Sequence, residues 1–267
     1  MQSKRIVLLT RDKQQHRFVA NVLSAAATIE RIVVDCRPQE PNIKRALALG
    51  PRKFLGKAAR AFLLKALGDE NARQRTLRAL FSGRGDVFDL GDRVLRVCGV
   101  NSPDTQRILD EIRPNLILVY GTSVVKPQVL NMASELSLNM HTGVSPYYRG
   151  TACAFWPVVN GEFDTVGATV HECIDRLDGG KIFAVVRVQV KRGDDLHTIF
   201  GRAVTAGADA YARVVRQYLE GRLEGEPQDL RVGREYRGAD LTIFAEIGAR
   251  FRLAMYTAGF GRPKAAE

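Results

Sequence analysis

Two β-branched runs, residues 5–10 and 29–35, bracket a stretch in which Phe18, Val19, Val22, Leu23 and Ala26 recur at helical spacing. Strand, helix and strand in so few residues make a βαβ unit, and such a unit crosses right-handedly onto a parallel sheet. The alternation resumes further on. The spacing predicts a helix over 103–112, followed by an all-apolar run at 116–120 that Gly121 ends, as buried parallel strands read. Further strands are expected over 136–141, 165–171 and 182–190, and a long helix over 196–219. The fold class this implies is α/β: a Rossmann-like, mostly parallel sheet flanked by helices.

Residues 42–85 interrupt the pattern. Leu47, Leu55, Ala58, Phe62, Leu63 and Leu67 repeat at helical spacing among many cations, which predicts one or two amphipathic helices inserted beside the sheet and peripheral to it. The expected organisation is a main domain over 1–223 that carries this basic helical insertion, and a C-terminal appendage over 224–267 too small to fold alone. The segment 42–85 holds eleven Lys and Arg against Asp69 and Glu70, a net +9 that accounts for most of the chain's +11. Such a patch attracts phosphates, acidic proteins, nucleic acid or anionic lipid without choosing among them.

At 45% hydrophobic and 26% charged, the 267 residues can bury a sizeable core. No run of 18 apolar residues occurs and the N-terminus leads straight into a strand, so neither secretion nor a membrane span is expected. Cys36, Cys98, Cys153 and Cys173 stand far apart with no Cys-x-x-Cys, which points away from a disulfide framework or zinc site and toward a cytoplasmic setting.

Two windows carry chemistry. In the first, residues 138–150, strand alternation puts Asn139 and His141 on one side, just where the strand gives way to a Gly- and Pro-bearing loop. Open α/β sheets bind ligands at that end of their strands. In the second, residues 170–182, Asp178 occupies a glycine turn between two strands. A lone strand-end His is more often structural, and Asp before Gly-Gly is usually a turn former. The joint pattern, with 37 residues from His141 to Asp178 and a Tyr-Arg-Gly loop between, reverses that balance.

These motifs, Asn139-Met140-His141, Pro146-Tyr147-Tyr148-Arg149-Gly150 and Leu177-Asp178-Gly179-Gly180, resemble the formyltransferases that use 10-formyltetrahydrofolate. That family includes glycinamide ribonucleotide, methionyl-tRNA and amino-sugar N-formyltransferases. The resemblance runs over about residues 4–223 and is strongest over 114–190. It implies catalytic roles for Asn139, His141 and Asp178, and a pterin pocket lined by Tyr120, Gly121, Thr122, Ser123, Val124 and Val125 on one side and Cys173, Ile174 and Leu177 on the other. It also implies acceptor contacts from His16, Arg17, Tyr148, Arg149, Gly150 and His171. The residue types suit the chemistry. An amine attacking a formamide carbonyl builds an oxyanion while its nitrogen turns cationic, so the site needs a donor and a proton route. Asn139 supplies an amide donor, His141 a donor or proton carrier, and Asp178 a charge that orients the imidazole or takes up the amine proton. No metal is required. Cys153 and Cys173 are expected to pack in the core, and His197 to be solvated or capping.

Two departures narrow the acceptor. The ribonucleotide enzyme cradles its phosphate on a glycine-rich loop after the first strand, whereas residues 10–17 here contain no glycine. After residue 223 too little chain remains for the tRNA-binding domain of the methionyl-tRNA enzymes. A small-molecule amine, anionic and most simply an amino sugar carried on a nucleotide, is the leading acceptor, and a homo-oligomer is compatible. The ribonucleotide acceptor and a formyltetrahydrofolate hydrolase stay open. A nucleic-acid-binding module is disfavoured because only Phe54, Phe62 and Phe81 accompany the cations, and a dinucleotide site because Gly-x-Gly-x-x-Gly is missing after the first strand.

Overall fold

Residues 4–38 and 50–260 are described by a computed structural model of the chain. Residues 42–49 of the expected insertion and 261–267 of the expected appendage lie outside them. β1 (Ile6–Thr10), α1 (Gln14–Ala26) and β2 (Arg31–Asp35) form the expected first unit, with β1 and β2 in parallel register. Then come α2 (Pro51–Ala66), α3 (Asp69–Phe81), β3 (Val94–Val97), α4 (Pro103–Ile112), β4 (Leu116–Val119), the short α5 (Pro127–Leu130) and β5 (Leu136–His141). The remainder is β6 (Tyr148–Gly150), α6 (Trp156–Asn160), β7 (Gly167–Glu172), β8 (Ile182–Arg187), α7 (Leu196–Leu219), β9 (Arg234–Tyr236) and α8 (Ile243–Thr257).

Seven strands make one sheet in the order β3-β2-β1-β4-β5-β7-β8. β3 through β5 are parallel and β7 is antiparallel to both neighbours, so six of the seven point the same way. Alternate residues of each strand feed two cores, as the two-residue period demands. Ile6 and Leu8 join α1, α3 and α7 on one face, while Val7 and Leu9 join α4 and α5 on the other. The strand order reverses at β1–β4, which opens a crevice at the carboxyl ends of those two strands. No helix of the described residues is long and apolar enough to cross a membrane.

The structure differs from the sequence reading in three places. α3 is not peripheral: Leu77 and Phe81, one turn apart, are buried in the main core, and the Phe81 ring stacks on Phe18 at 4.6 Å. The C-terminal stretch is stitched into the main body. β9 pairs in parallel with β6, and Tyr236 stacks on Trp156 and Tyr148 at centroid distances of 4.4 and 5.7 Å. His197 is neither solvated nor a cap, since its Nε2 meets Asp69 at 3.1 Å and joins the start of α7 to the start of α3.

Tyr211, fully buried on α7, shapes the sheet beside the crevice. Its hydroxyl donates to Leu138 O at 2.7 Å and accepts from the Val119 N–H at 3.0 Å. Val119 stands opposite Asn139 in the β4–β5 register, so the hydroxyl bridges a donor and an acceptor that a regular parallel ladder would join directly. Tyr211→Phe removes that bridge and leaves both groups buried without their partner. The expected loss is about 1 to 3 kcal/mol, read as a Tm several degrees below wild type in thermal unfolding. An unchanged Tm would mean that the ladder closes by itself.

Candidate active site

A cavity of about 590 Å³ opens at the carboxyl edge of the sheet, where a ligand-sized space is expected. The first turn of α1 lines it with Gln15 and His16, the loop after β4 with residues 120–127, β5 with Asn139 and His141, and the loop after β7 with residues 173–178. Among the described residues, no backbone N–H from Gly121 to Val125 donates to another protein group. This wall therefore offers free donors beside apolar Val119, Leu130 and Met140.

Asn139 and His171 are direct cross-strand partners in the β5–β7 register, which puts their side chains on one face. Asn139 Nδ2 lies 3.1 Å from His171 Nε2, while His171 Nδ1 donates to Glu172 O at 2.8 Å. With Nδ1 donating to Glu172 O, Nε2 is the nitrogen that meets the Asn139 amide, and the second amide N–H of Asn139 is left free toward the cavity. His141 Nε2 donates to Tyr148 O at 3.1 Å, so its other nitrogen, Nδ1, faces Asp178 Oδ2 at 3.6 Å. The packing around this imidazole is tight. A methyl group on Gly143 would come within 2.6 Å of His141 Nε2 and 2.4 Å of Cys153 Cβ, so glycine is required there.

Asp178 has φ 48°, a left-handed conformation that Asp tolerates better than most side chains. Its Oδ2 accepts from the Gly150 N–H at 2.8 Å, its Oδ1 lies 3.4 Å from His171 Nε2, and its own carbonyl accepts from Gln228 Nε2 at 2.9 Å. Burial disfavours the carboxylate, but His141, His171 and the Gly150 N–H outweigh it and hold the group well below the usual carboxylate range. For His141 burial wins over the attraction of Asp178, which pushes the imidazole below its ordinary 6.5. The resting pair is a carboxylate beside a neutral ring.

Of the other expected residues, Tyr120 through Val125, Cys173, Ile174, Leu177, His16, Gly150 and His171 all line the cavity. Arg17, Tyr148 and Arg149 do not: Arg17 binds Asp12 and Asp86 O, the Tyr148 hydroxyl donates to Glu162, and the buried Arg149 donates to Leu230 O. Burial pushes the Cys153 and Cys173 thiols far up, as expected of core cysteines. Asp175 and Arg176, within the stretch 173–178 expected on the far side of the pocket, line it too, while sequence reasoning missed Gln15, Lys126, Thr142 and Phe200, which also line the cavity. Most of them adjoin a residue already singled out. Phe200 does not, and only the packing of α7 brings it there.

Residues 70–215 match the family model described as "Formyl transferase". Over 129 residues the chain is 29% identical to the methionyl-tRNA formyltransferase of Lactiplantibacillus plantarum, which covers 48% of this chain and 40% of that protein. It spans about half the length of the curated relatives it matches, 40% and 52% of two of them. Among solved structures, a sugar N-formyltransferase from Shewanella sp FDAARGOS_354 superposes with a TM-score of 0.59 at 12% identity, covering 94% of this chain and 87% of that one. Glycinamide ribonucleotide transformylase 1 from Symbiobacterium toebii gives 0.56 at 17% identity, covering 85% and 95%. At these identities the two structures establish a shared fold.

The depressed Asp178 carboxyl links stability to pH. Its contribution is present above the unfolded value of 3.8 and is lost as pH falls through the lower folded value. In urea unfolding, Asp178→Asn should therefore cost about 1 to 3 kcal/mol at pH 7, and the gap to wild type should shrink below pH 3.8. A gap that widens on acidification would contradict the low carboxyl value.

Proposed function

Because the chain belongs to the formyl transferase family, we propose that it moves a formyl group from 10-formyltetrahydrofolate to the primary amine of an amino sugar carried on a nucleotide. The observation that carries this reading is the convergence of Asn139, His141 and Asp178 at one cavity edge, with His141 and Asp178 3.6 Å apart.

The cavity suits a folate. The free N–H groups of the loop after β4 face a heteroaromatic edge, and Val119, Leu130 and Met140 suit its flat faces. When bound, the folate supplies an activated formyl carbonyl. Asn139 directs its free N–H at the oxygen on which charge builds during amine attack. His141, neutral at rest and with Nε2 held on Tyr148 O, accepts the amine proton at Nδ1, and Asp178 stabilises the imidazolium so formed. His171 positions Asn139 through its Nε2. The glycine-free stretch at 10–17 supports a nucleotide sugar over a ribonucleotide acceptor. The four free cysteines are in keeping with a reducing compartment.

Incubation with 10-formyltetrahydrofolate and a panel of nucleotide-linked amino sugars, read by mass spectrometry, should show an acceptor that gains one formyl group. Free formate without any amine would instead mark a hydrolase. Asn139→Ala should lower kcat by about 100- to 1,000-fold with little change in folate affinity. A loss under about tenfold, roughly 1.4 kcal/mol, would remove Asn139 from the oxyanion role.

A further inference from the structure

Among the described residues of the basic segment, Arg73, on α3, touches a residue of the cavity wall. Its guanidinium carbon stands 5.7 Å from the centroid of Phe200, and Phe200 lines the cavity. The Arg73 side chain is 27% exposed. Its carboxylate partner, Glu70, is 4.0 Å away and 68% exposed, and an ion pair of that kind contributes little. The guanidinium is thus held in place by an aromatic face while its charge is poorly balanced.

The neighbouring wall is positive as well. His16 is 6% exposed and lines the cavity, and its Nδ1 is buried without a hydrogen-bond partner among the described residues. Burial first, and then the charges of Lys13, Arg11 and Arg73, lower this imidazole to about 3, so it is neutral and supplies no countercharge. The nearby carboxylates are already engaged: Asp35 with Arg11 and Arg37, Asp12 with Arg17 and Arg96. A ligand anion is what this side of the cavity lacks.

We propose that Arg73, seated on Phe200, binds a phosphate or diphosphate ester of the acceptor, and that His16 bonds to a hydroxyl of the same ligand. The proposal rests on the formyltransferase reading and adds to it a place and a chemistry for the acceptor's charge. Arg73 is set there by its contact with Phe200, which lines the cavity.

Isothermal titration of the full chain with UDP, inorganic pyrophosphate and acetate tests it, with melting temperatures to check that each variant is folded. Wild type should bind UDP and pyrophosphate but not acetate. Arg73→Gln should weaken both by about tenfold or more, Arg73→Lys by less, and Phe200→Leu in the same direction as Arg73→Gln, with tetrahydrofolate affinity constant in the two Arg73 variants. Wild type that binds neither phosphate probe, Arg73→Gln that binds them as wild type does, or acetate that competes equally would overturn the subsite. Formyl transfer that persists beside such a result would leave the enzymatic reading intact. Phosphate binding that depends on Arg73 in a protein that transfers no formyl group would uphold the subsite and sink the enzymatic reading.

Discussion

A carboxylate taken out of water must be met by donors or it takes up a proton, and the buried charge of Asp178 imposes that requirement on everything around it. The Gly150 N–H meets one oxygen, the His171 ring lies 3.4 Å from the other, and Gln228 holds the turn through the Asp178 carbonyl. Each partner brings its own support. Gly150 ends β6, which pairs with β9, so the C-terminal stretch that reads as an appendage helps to place a donor on the central acid. His171 is set by its pairing with Asn139 across β5 and β7. His141 is fixed by its bond to Tyr148 O and by the bare Cα of Gly143.

The same constraint makes the site reactive. Desolvation raises the cost of charge on both partners, yet the surroundings of the acid hold it below its usual range while burial pushes the imidazole below its own, so a carboxylate sits beside a neutral imidazole. A proton arriving at His141 Nδ1 turns that arrangement into an ion pair in a poorly screened environment, where attraction is strong. Proton uptake is thus favoured where an attacking amine must lose its proton, and Asp178 need not leave its position for this to happen.

Six of the seven sheet strands and the main pair of motifs were legible in the sequence because buried strands are written as apolar runs and because alternation along a strand puts Asn139 and His141 on one side; the four-residue edge strand β3 was not. The contact between Asn139 and His171 was not. It depends on β7 pairing antiparallel with β5 at one particular register, a long-range choice that neither segment encodes alone. β9 is three residues, Arg-Glu-Tyr, with no strand periodicity to read. The buried face of α3 was visible in the one-turn spacing of Leu77 and Phe81 but was overshadowed by the charges around it. Arg73 and Phe200 come together only because α3 packs on α7, and no local pattern announces that.

The central claim is that His141 and Asp178 act on one proton as a unit. A double-mutant cycle on kcat for formyl transfer, comparing wild type, His141→Ala, Asp178→Asn and the double variant, tests it most directly. If the two act together, the double variant should lose far less than the product of the single losses, because removing either one already removes the shared step. Losses that multiply, or an Asp178→Asn variant that keeps more than about a tenth of wild-type kcat, would contradict it.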